Sequence, residues 1–547
     1  MKISKSLGIL FCVLVAASLT LTGCSKSGSN IAESKTTETV ESSVKDMAKD
    51  DVNLEPQKGG TLTISLSSSP SKLDPIHYTG TYEGQIIGEV CNTVIDYNST
   101  LTSYVPSLAE GWTVSEDGAT YVFTIRQGVH FQKGKFQDGR EMTAEDVAYS
   151  LNRSAQYSDS NRLSMLKEAK VTGEWEVTCI LKSANASFLT ALTDSGNSIV
   201  PKEAVDGWGD DFGSHLIGTG PFSLQSFKLD QESVLIKNPV YWMGEPNIDE
   251  LVFKVITDPI QASNALQTGD LDMASNLTGE AVQMVKDNND LTLLSIEGIH
   301  VAYIYFNQTK GPTADIRVRK AIIEAINVDE MVQSIYKFGE ASRAYLPLPP
   351  GSWGYDASLE SQVPKFNVEG AKALLKEAGY GDGLTLDLYI SNTPARRAMT
   401  VLVQAYLAQV GITVNIHGTE WGSFSDVAMS GNADMYGMSW TWYPDPFFFL
   451  DKMFSSEEIG GIGNGQNFSD PEVDKLLKAA LEVSDVESRS VLYKKALAKI
   501  ETHVPGLYYA NEKVIYGVNQ RVHDFIQRPD GTIRIITPEN NVWVSEK

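Results

Sequence analysis

Two sets of side chains in this sequence of 547 residues have types and spacings that could do chemistry. The first is the run Met438-Ser-Trp440-Thr-Trp442-Tyr443-Pro-Asp445-Pro-Phe447-Phe448-Phe449-Leu450. A concave ligand site needs large rigid surfaces with a few polar groups among them, and this run supplies both. The chemistry would be non-covalent capture of a small solute by Trp440, Trp442 and Tyr443. The same composition also suits a core strand and turn, and Phe449 and Leu450 are assigned to the core. Asp445, held between two prolines, either caps a following helix or lines a cleft. The second set is a single thiol. Cys24 directly follows Leu21-Thr22-Gly23, where an apolar run ends, and is a candidate for covalent modification.

Catalytic arrangements are missing. The sequence has no GxSxG elbow, no HExxH or CxxC spacing and no phosphate loop, and its seven histidines are scattered. Lone His77 and His417 are expected in structural hydrogen bonds. With 69 acidic residues, chance carboxylate pairs are guaranteed, so a secreted hydrolase stands as the rival class and not as the reading. The net charge of −24, from 69 acidic and 45 basic residues, argues against nucleic acid or an anionic membrane face as partner. No metal or other cofactor is expected.

The elements that must position these groups begin with an export signal. Lys2 and Lys5 precede the uncharged, mostly apolar stretch Leu7 to Leu21, shorter than the roughly 20 residues of a membrane span. Ending in Leu-Thr-Gly-Cys, it resembles the lipobox of bacterial lipoproteins. That resemblance implies removal of residues 1–23, acylation of Cys24 and attachment to the outer face of a membrane. Residues 24–58, rich in Ser, Thr, Lys, Glu and Asp, read as a disordered tether. Only Cys91 and Cys179 follow, both in apolar surroundings. They are expected as buried thiols, with a disulfide between them left open.

Order starts at Gly59-Gly60, and Thr61 to Leu66 alternates as a strand. Two strands flank the turn Glu116-Asp117-Gly118. Thr143 to Asp146 is a capping-box helix start. Lys170 to Leu181 is strand, turn, strand, and Leu251 to Ile256 another strand. Helices are predicted over Pro259 to Thr268, behind Asp315, over Ala371 to Ala378, and from Asp470-Pro471 through Leu481, with one more over Val491 to Thr502. Leu384 to Ile390, Ala395 to Val410 and Ile412 to Ile416 form a β-α-β unit, which points to a mainly parallel sheet. At about 520 residues after signal removal, two or three domains are required.

The linked motifs go further. Gly59-Gly60-Thr-Leu-Thr-Ile and Leu73-Asp74-Pro75 resemble the mature start of family 5 extracellular solute-binding proteins, the oligopeptide and dipeptide receptors of ABC importers. Leu108 to Trp112, Tyr121 to Phe131, Met142 to Val147, Ile217-Gly-Thr-Gly-Pro-Phe222, Asn238 to Trp242, Ala265 to Asp270 and Asp315 to Ala321 continue the match in order. So do Phe306-Asn307, Glu420-Trp421, Tyr443-Pro-Asp-Pro446 and Asp470 to Asp474.

The resemblance implies an α/β, two-lobed periplasmic-binding-protein-like fold of type II with an extra third domain. Lobe I would take residues 59–98, 218–306 and 507–547, the extra domain 99–217, and lobe II 307–506. It also implies a monomer that works with ABC permease and ATPase subunits, closes over a peptide or related small polar solute, and is not an enzyme. An oligosaccharide or metal chelate is the alternative cargo.

In dipeptide receptors of this family an aspartate just before the matching Tyr-Pro-Asp-Pro stretch holds the peptide amino group; here Trp442 stands there. A carboxylate-binding arginine sits in a loop that here is the short Ile390-Ser-Asn392-Thr-Pro-Ala-Arg396-Arg397. Arg396 or Arg397 either substitutes for it or faces solvent, with Asn392 a further candidate. Tyr82 and Glu83, ahead of a lobe I helix, could reach the cleft. Trp421 is either a cleft wall or core packing. Asn307 would serve the ligand or hold the hinge.

Overall fold

The computed structural model describes residues 55–78, 80–441 and 443–546. Residues 1–54, where the export signal, Cys24 and most of the tether are expected, and Trp442 lie outside the described residues. Among the described residues no helix is long and apolar enough to cross a membrane.

Thr61–Leu66 is a strand as its alternation predicts, and it pairs in parallel with Glu250–Val255 and Met273–Ser275. Phe222–Lys228 and Glu232–Lys237 extend this side as an antiparallel hairpin. Leu62, Ile64, Leu251 and Phe253 pack beneath it with Ile86, Ile87 and Val90 of the helix Thr81–Val90. The other side of the same mixed sheet holds Met435–Thr441, Leu384–Ser391 and Ile412–Thr419. Leu384–Ser391 and Ile412–Thr419 are parallel, and the helix Pro394–Ala408 connects them, so the β-α-β unit is present. A separate core around Val318, Ile322, Leu386, Leu388 and Val403 lies on this side. Two lobes, each with its own core, therefore share one sheet.

Two long antiparallel strands join the lobes, Leu291–Phe306 and Gly506–Asn519. Their register shifts twice: between Ala302, opposite Ala510, and Tyr303, opposite Tyr508, and between Glu297, opposite Lys513, and His300, opposite Glu512. Gly298 and Ile299 are left as a bulge, the device by which strands bend. A Cβ at Gly298 would lie 2.5 Å from the Glu512 carbonyl oxygen, so only glycine fits the bend. Beyond it, His300–Phe306 pairs with Met435–Thr441 of the second lobe. The sheet changes neighbours inside this strand. Alternation marks a strand but not a change of lobe within it, which is why the sequence does not reveal the position.

A third core, from Val94 to Ile199, lies under a four-stranded antiparallel sheet and the helix Ala144–Tyr157. The expected capping box is made: Asp146 accepts from the Thr143 N–H at 2.9 Å and Thr143 caps the third helical N–H. Asp146 also pairs with Arg140 at 2.7 Å. Cys91 lies in the first-lobe core and Cys179 in the third; both are free and buried.

The Ile217-Gly-Thr-Gly-Pro-Phe222 motif ties this third unit to the first lobe. The Gly220 N–H donates to the Val90 carbonyl at 2.9 Å. The Gln132 amide donates to the Val90, Gly220 and Phe222 carbonyls at 2.9, 3.2 and 2.7 Å, and accepts from the Gly218 N–H at 3.0 Å. A Cβ at Gly220 would stand 2.5 Å from the Glu89 carbonyl oxygen. Gly220→Ala should therefore cost about 1–3 kcal/mol of stability as an overpacked contact. Gly111→Ala, with no atom within 4 Å of its added Cβ, should stay within about 0.5 kcal/mol of wild type when both variants are unfolded in urea.

Candidate ligand cleft

Two chambers lie side by side where the lobes face each other. On the first lobe, Thr81 lines one and Tyr82 the other; on the second, Thr441 and Ser439 divide them in the same way. Strand alternation explains the second pair. Ser439 and Thr441 point one way from Met435–Thr441, and Trp440 points the other. The larger chamber, about 690 Å³, is walled by Tyr82, Asn276, Tyr336, Arg396, Ser439 and Tyr509. The smaller, about 500 Å³, is polar and walled by Arg162, Asp194, Tyr443, Arg528, Asp530 and Arg534. Both volumes fall within the roughly 300–1,000 Å³ of small-ligand sites.

In the larger chamber, Tyr82 belongs to the first turn of the helix Thr81–Val90 rather than preceding it, and its hydroxyl lies 2.9 Å from Ser67 Oγ. Arg396 stands in the first turn of the helix capped by Thr393, whose Oγ1 accepts from the Arg396 N–H at 3.3 Å. Its guanidinium donates to Ser439 Oγ at 2.6 Å and to Ser391 Oγ. Among the described residues no carboxylate lies within ion-pair distance of it, and Glu340, Glu512 and Lys513 line the same chamber. Arg397 bonds Asn392 Oδ1 at 2.8 Å instead, on an exposed edge. Consecutive helical residues diverge by about 100°, which sends one arginine inward and the other out.

The smaller chamber is where three parts of the chain meet at one guanidinium. Arg162 pairs with Asp194 at 2.7 Å, donates to the Tyr443 hydroxyl at 3.0 Å, and lies 4.4 Å from the centre of the Tyr78 ring. Burial raises the Asp194 carboxyl even beside this partner.

The remaining candidates are placed away from both chambers. Trp440 donates its Nε1–H to the Phe448 carbonyl at 2.6 Å and packs on the second-lobe core. Glu83 is buried and accepts from the Ser71 N–H and Oγ, both at 2.8 Å. Asp445 is fully buried, bidentate to Arg489 at 2.9 and 3.0 Å, and accepts from Thr190 Oγ1 and the Phe447 N–H, each at 3.0 Å. Asn307, also fully buried, donates to the Gly431 and Ala433 carbonyls and accepts from the Thr309 and Lys310 N–H groups. Trp421 opens the helix Trp421–Ser430 and is 55% exposed. Phe449 and Leu450 are in the core.

Sequence reasoning passed over Tyr336, Tyr509, Arg162, Arg528 and Arg534. One signal was present: Arg528-Pro-Asp530-Gly-Thr-Ile-Arg534 sets three charges among turn residues close to the end of the chain.

Behind Arg534, Glu89 is 1% exposed; its Oε1 accepts from the Ile535 N–H at 3.1 Å and its Oε2 has no partner among the described residues. Burial pushes this carboxyl up to about 8, against the pull of Arg534. The folded state then keeps a proton that the unfolded chain releases near its ordinary value of about 4.5. Stability should fall as pH rises between those values, by at most about 1.4 kcal/mol per pH unit from this group. Glu89→Gln keeps the acceptor and removes the titration. Urea midpoints of the variant should lose less between pH 5 and 8, and exceed wild type at pH 8.

Residues 103–461 match the model of bacterial extracellular solute-binding proteins, family 5 middle. The dipeptide-binding protein of Escherichia coli is 29% identical over 500 residues, covering 86% of this chain and 93% of that one. Heme-binding protein A of Haemophilus influenzae is 28% identical over 547 residues, covering 95% and 96%. An ABC transporter-associated periplasmic binding protein of Helicobacter pylori, solved in complex with a peptide, superposes with a TM-score of 0.75 at 26% identity, covering 90% of this chain and 99% of that one.

Proposed function

Because the chain belongs to the bacterial extracellular solute-binding proteins of family 5, we propose that it captures a peptide or related small polar solute between its lobes and delivers it to an ABC permease for import. The observation that carries this reading is Arg396. A guanidinium in no ion pair among the described residues, oriented by Ser391 and Ser439, faces a chamber of about 690 Å³ walled by Tyr82, Tyr336 and Tyr509. A guanidinium fork held in this way suits a carboxylate, and the tyrosine rings suit the body of a short peptide. Enclosure between the lobes supplies affinity, and the closed shape is what a permease would recognise. The relatives named for dipeptides and peptides support the peptide class. A thermal-shift screen of di- to pentapeptides, sugars and heme tests the choice. A ligand at 100 times its Kd adds about 2.7 kcal/mol of stability. Peptides should raise Tm, and a response to sugars or heme alone would replace the peptide reading.

We further propose that residues 1–23 direct export and that Cys24 is acylated, which keeps the receptor at the outer face of the membrane near its permease. Cys24→Ser should move the protein from the membrane pellet to the soluble fraction and abolish incorporation of labelled palmitate. Membrane retention of the variant without label would contradict the anchor.

A further inference from the structure

The smaller chamber holds more hydrogen-bond donors than its acceptors can use. Arg528, 4% exposed, reaches the Tyr97 carbonyl at 3.3 Å, Asp530 at 3.5 Å and Asp96 at 3.8 Å, yet its Nε has no acceptor among the described residues. Arg162 Nε is likewise buried without an acceptor. Arg534 donates to the Ile533 carbonyl at 3.0 Å and, among the described residues, has no carboxylate within ion-pair distance. Its guanidinium lies against Gly88, where a Cβ would come within 2.5 Å. The chamber's carboxylates are already engaged. Asp194 accepts from Arg162 and the Gly196 N–H. Asp530 accepts from the Thr532 N–H and Oγ1, and Asp96 from the Tyr97 N–H. Buried donors left without acceptors are costly, so the chamber favours an occupant rich in acceptors.

We propose that the smaller chamber is an anion subsite: Arg534, beside Arg528 and Arg162 in the chamber wall, takes a carboxylate carried by the captured solute at the end away from Arg396. This rests on the peptide-receptor reading and narrows it to solutes with an acidic group at each end. The guanidinium plane matches a carboxylate in two parallel hydrogen bonds. Behind Arg534, Glu89 is buried and makes no ion pair with it among the described residues, and burial raises its carboxyl against the pull of that guanidinium.

Isothermal titration with three peptides tests the assignment: Ala-Ala-Ala, acetyl-Ala-Ala-Ala with one carboxylate, and succinyl-Ala-Ala-Ala with one at each end. The succinyl peptide should bind about tenfold tighter than the acetyl peptide, and the advantage should shrink with added salt. Arg534→Gln should remove that advantage, while Arg534→Lys should keep part of it. Equal affinity for the acetyl and succinyl peptides would overturn the subsite. So would an Arg534→Gln variant that weakens both alike, which marks a structural role. Binding of Ala-Ala-Ala with no succinyl preference overturns the subsite and leaves the receptor reading intact. Failure of all three to bind overturns both.

Discussion

Replacing Asp445 with alanine is expected to destabilise the protein by about 3–5 kcal/mol, the cost of leaving a buried charge without its partner. Asp445 is fully buried and Arg489 is 1% exposed. Four donors end on this one carboxylate: both terminal nitrogens of Arg489, the Thr190 hydroxyl and the Phe447 N–H. Thr190 belongs to the third core and Arg489 to the helix Val486–Glu501 of the second lobe. The carboxylate therefore joins two units and also fixes the segment that carries Tyr443 into the cleft. The cost comes from the orphaned guanidinium, so the double variant Asp445→Leu with Arg489→Leu should be less destabilised than Asp445→Ala alone. Thr190→Val removes one hydrogen bond to a charged group and should cost about 1.5–3 kcal/mol. Urea unfolding followed by tryptophan fluorescence measures all three. A double variant as damaged as the single one would show that packing, not charge, sets the penalty.

Replacing Arg396 with glutamine should raise the Kd for a peptide with a free carboxyl terminus by about 10- to 100-fold, the loss of a charge-assisted pair. Ser391 and Ser439 hold the guanidinium in place, and neither neutralises it. The loss should be confined to the acid: against the carboxamide of the same peptide, the variant and wild type should bind within about twofold. Arg397→Gln, on the exposed edge beside Asn392, should bind both peptides as wild type does. Calorimetric titrations of the four combinations give the result directly. Equal weakening toward acid and amide would remove Arg396 from carboxylate recognition and leave it a role in shaping the helix start.

How far the sequence reaches can be seen in particular residues. Pro259–Thr268, Leu384–Ser391 and the Asp470-capped helix Pro471–Leu481 carry local signals, namely a capping acid, strict alternation, or a proline at the first turn. Their positions follow from those signals. The two long strands carry no such marker at their bulge, because Gly298 is required by the Glu512 carbonyl of a strand more than 200 residues away. The cleft obeys the same logic. Tyr443 sits inside a motif, whereas Arg396 could be named only as one of two alternatives with Arg397, each either binding or facing solvent. Arg162 and Arg534, from distant segments, meet Tyr443 only through the tertiary fold. Asp445, with the same motif address, instead finds Arg489 and is taken out of the cleft altogether. A motif fixes where a residue lies along the chain, while its partners decide what it does.

The cleft between the lobes is proposed to hold a small peptide-like solute and to leave it chemically unchanged. Native mass spectrometry of the protein purified from cells, then incubated with a defined mixture of short peptides, tests this most directly. The expected result is a complex of one protein with one small solute, released on denaturation, whose fragmentation reads as a peptide and whose mass is the same after prolonged incubation. A protein that stays empty in the presence of the whole mixture, or one that converts the peptides to new products, would contradict it.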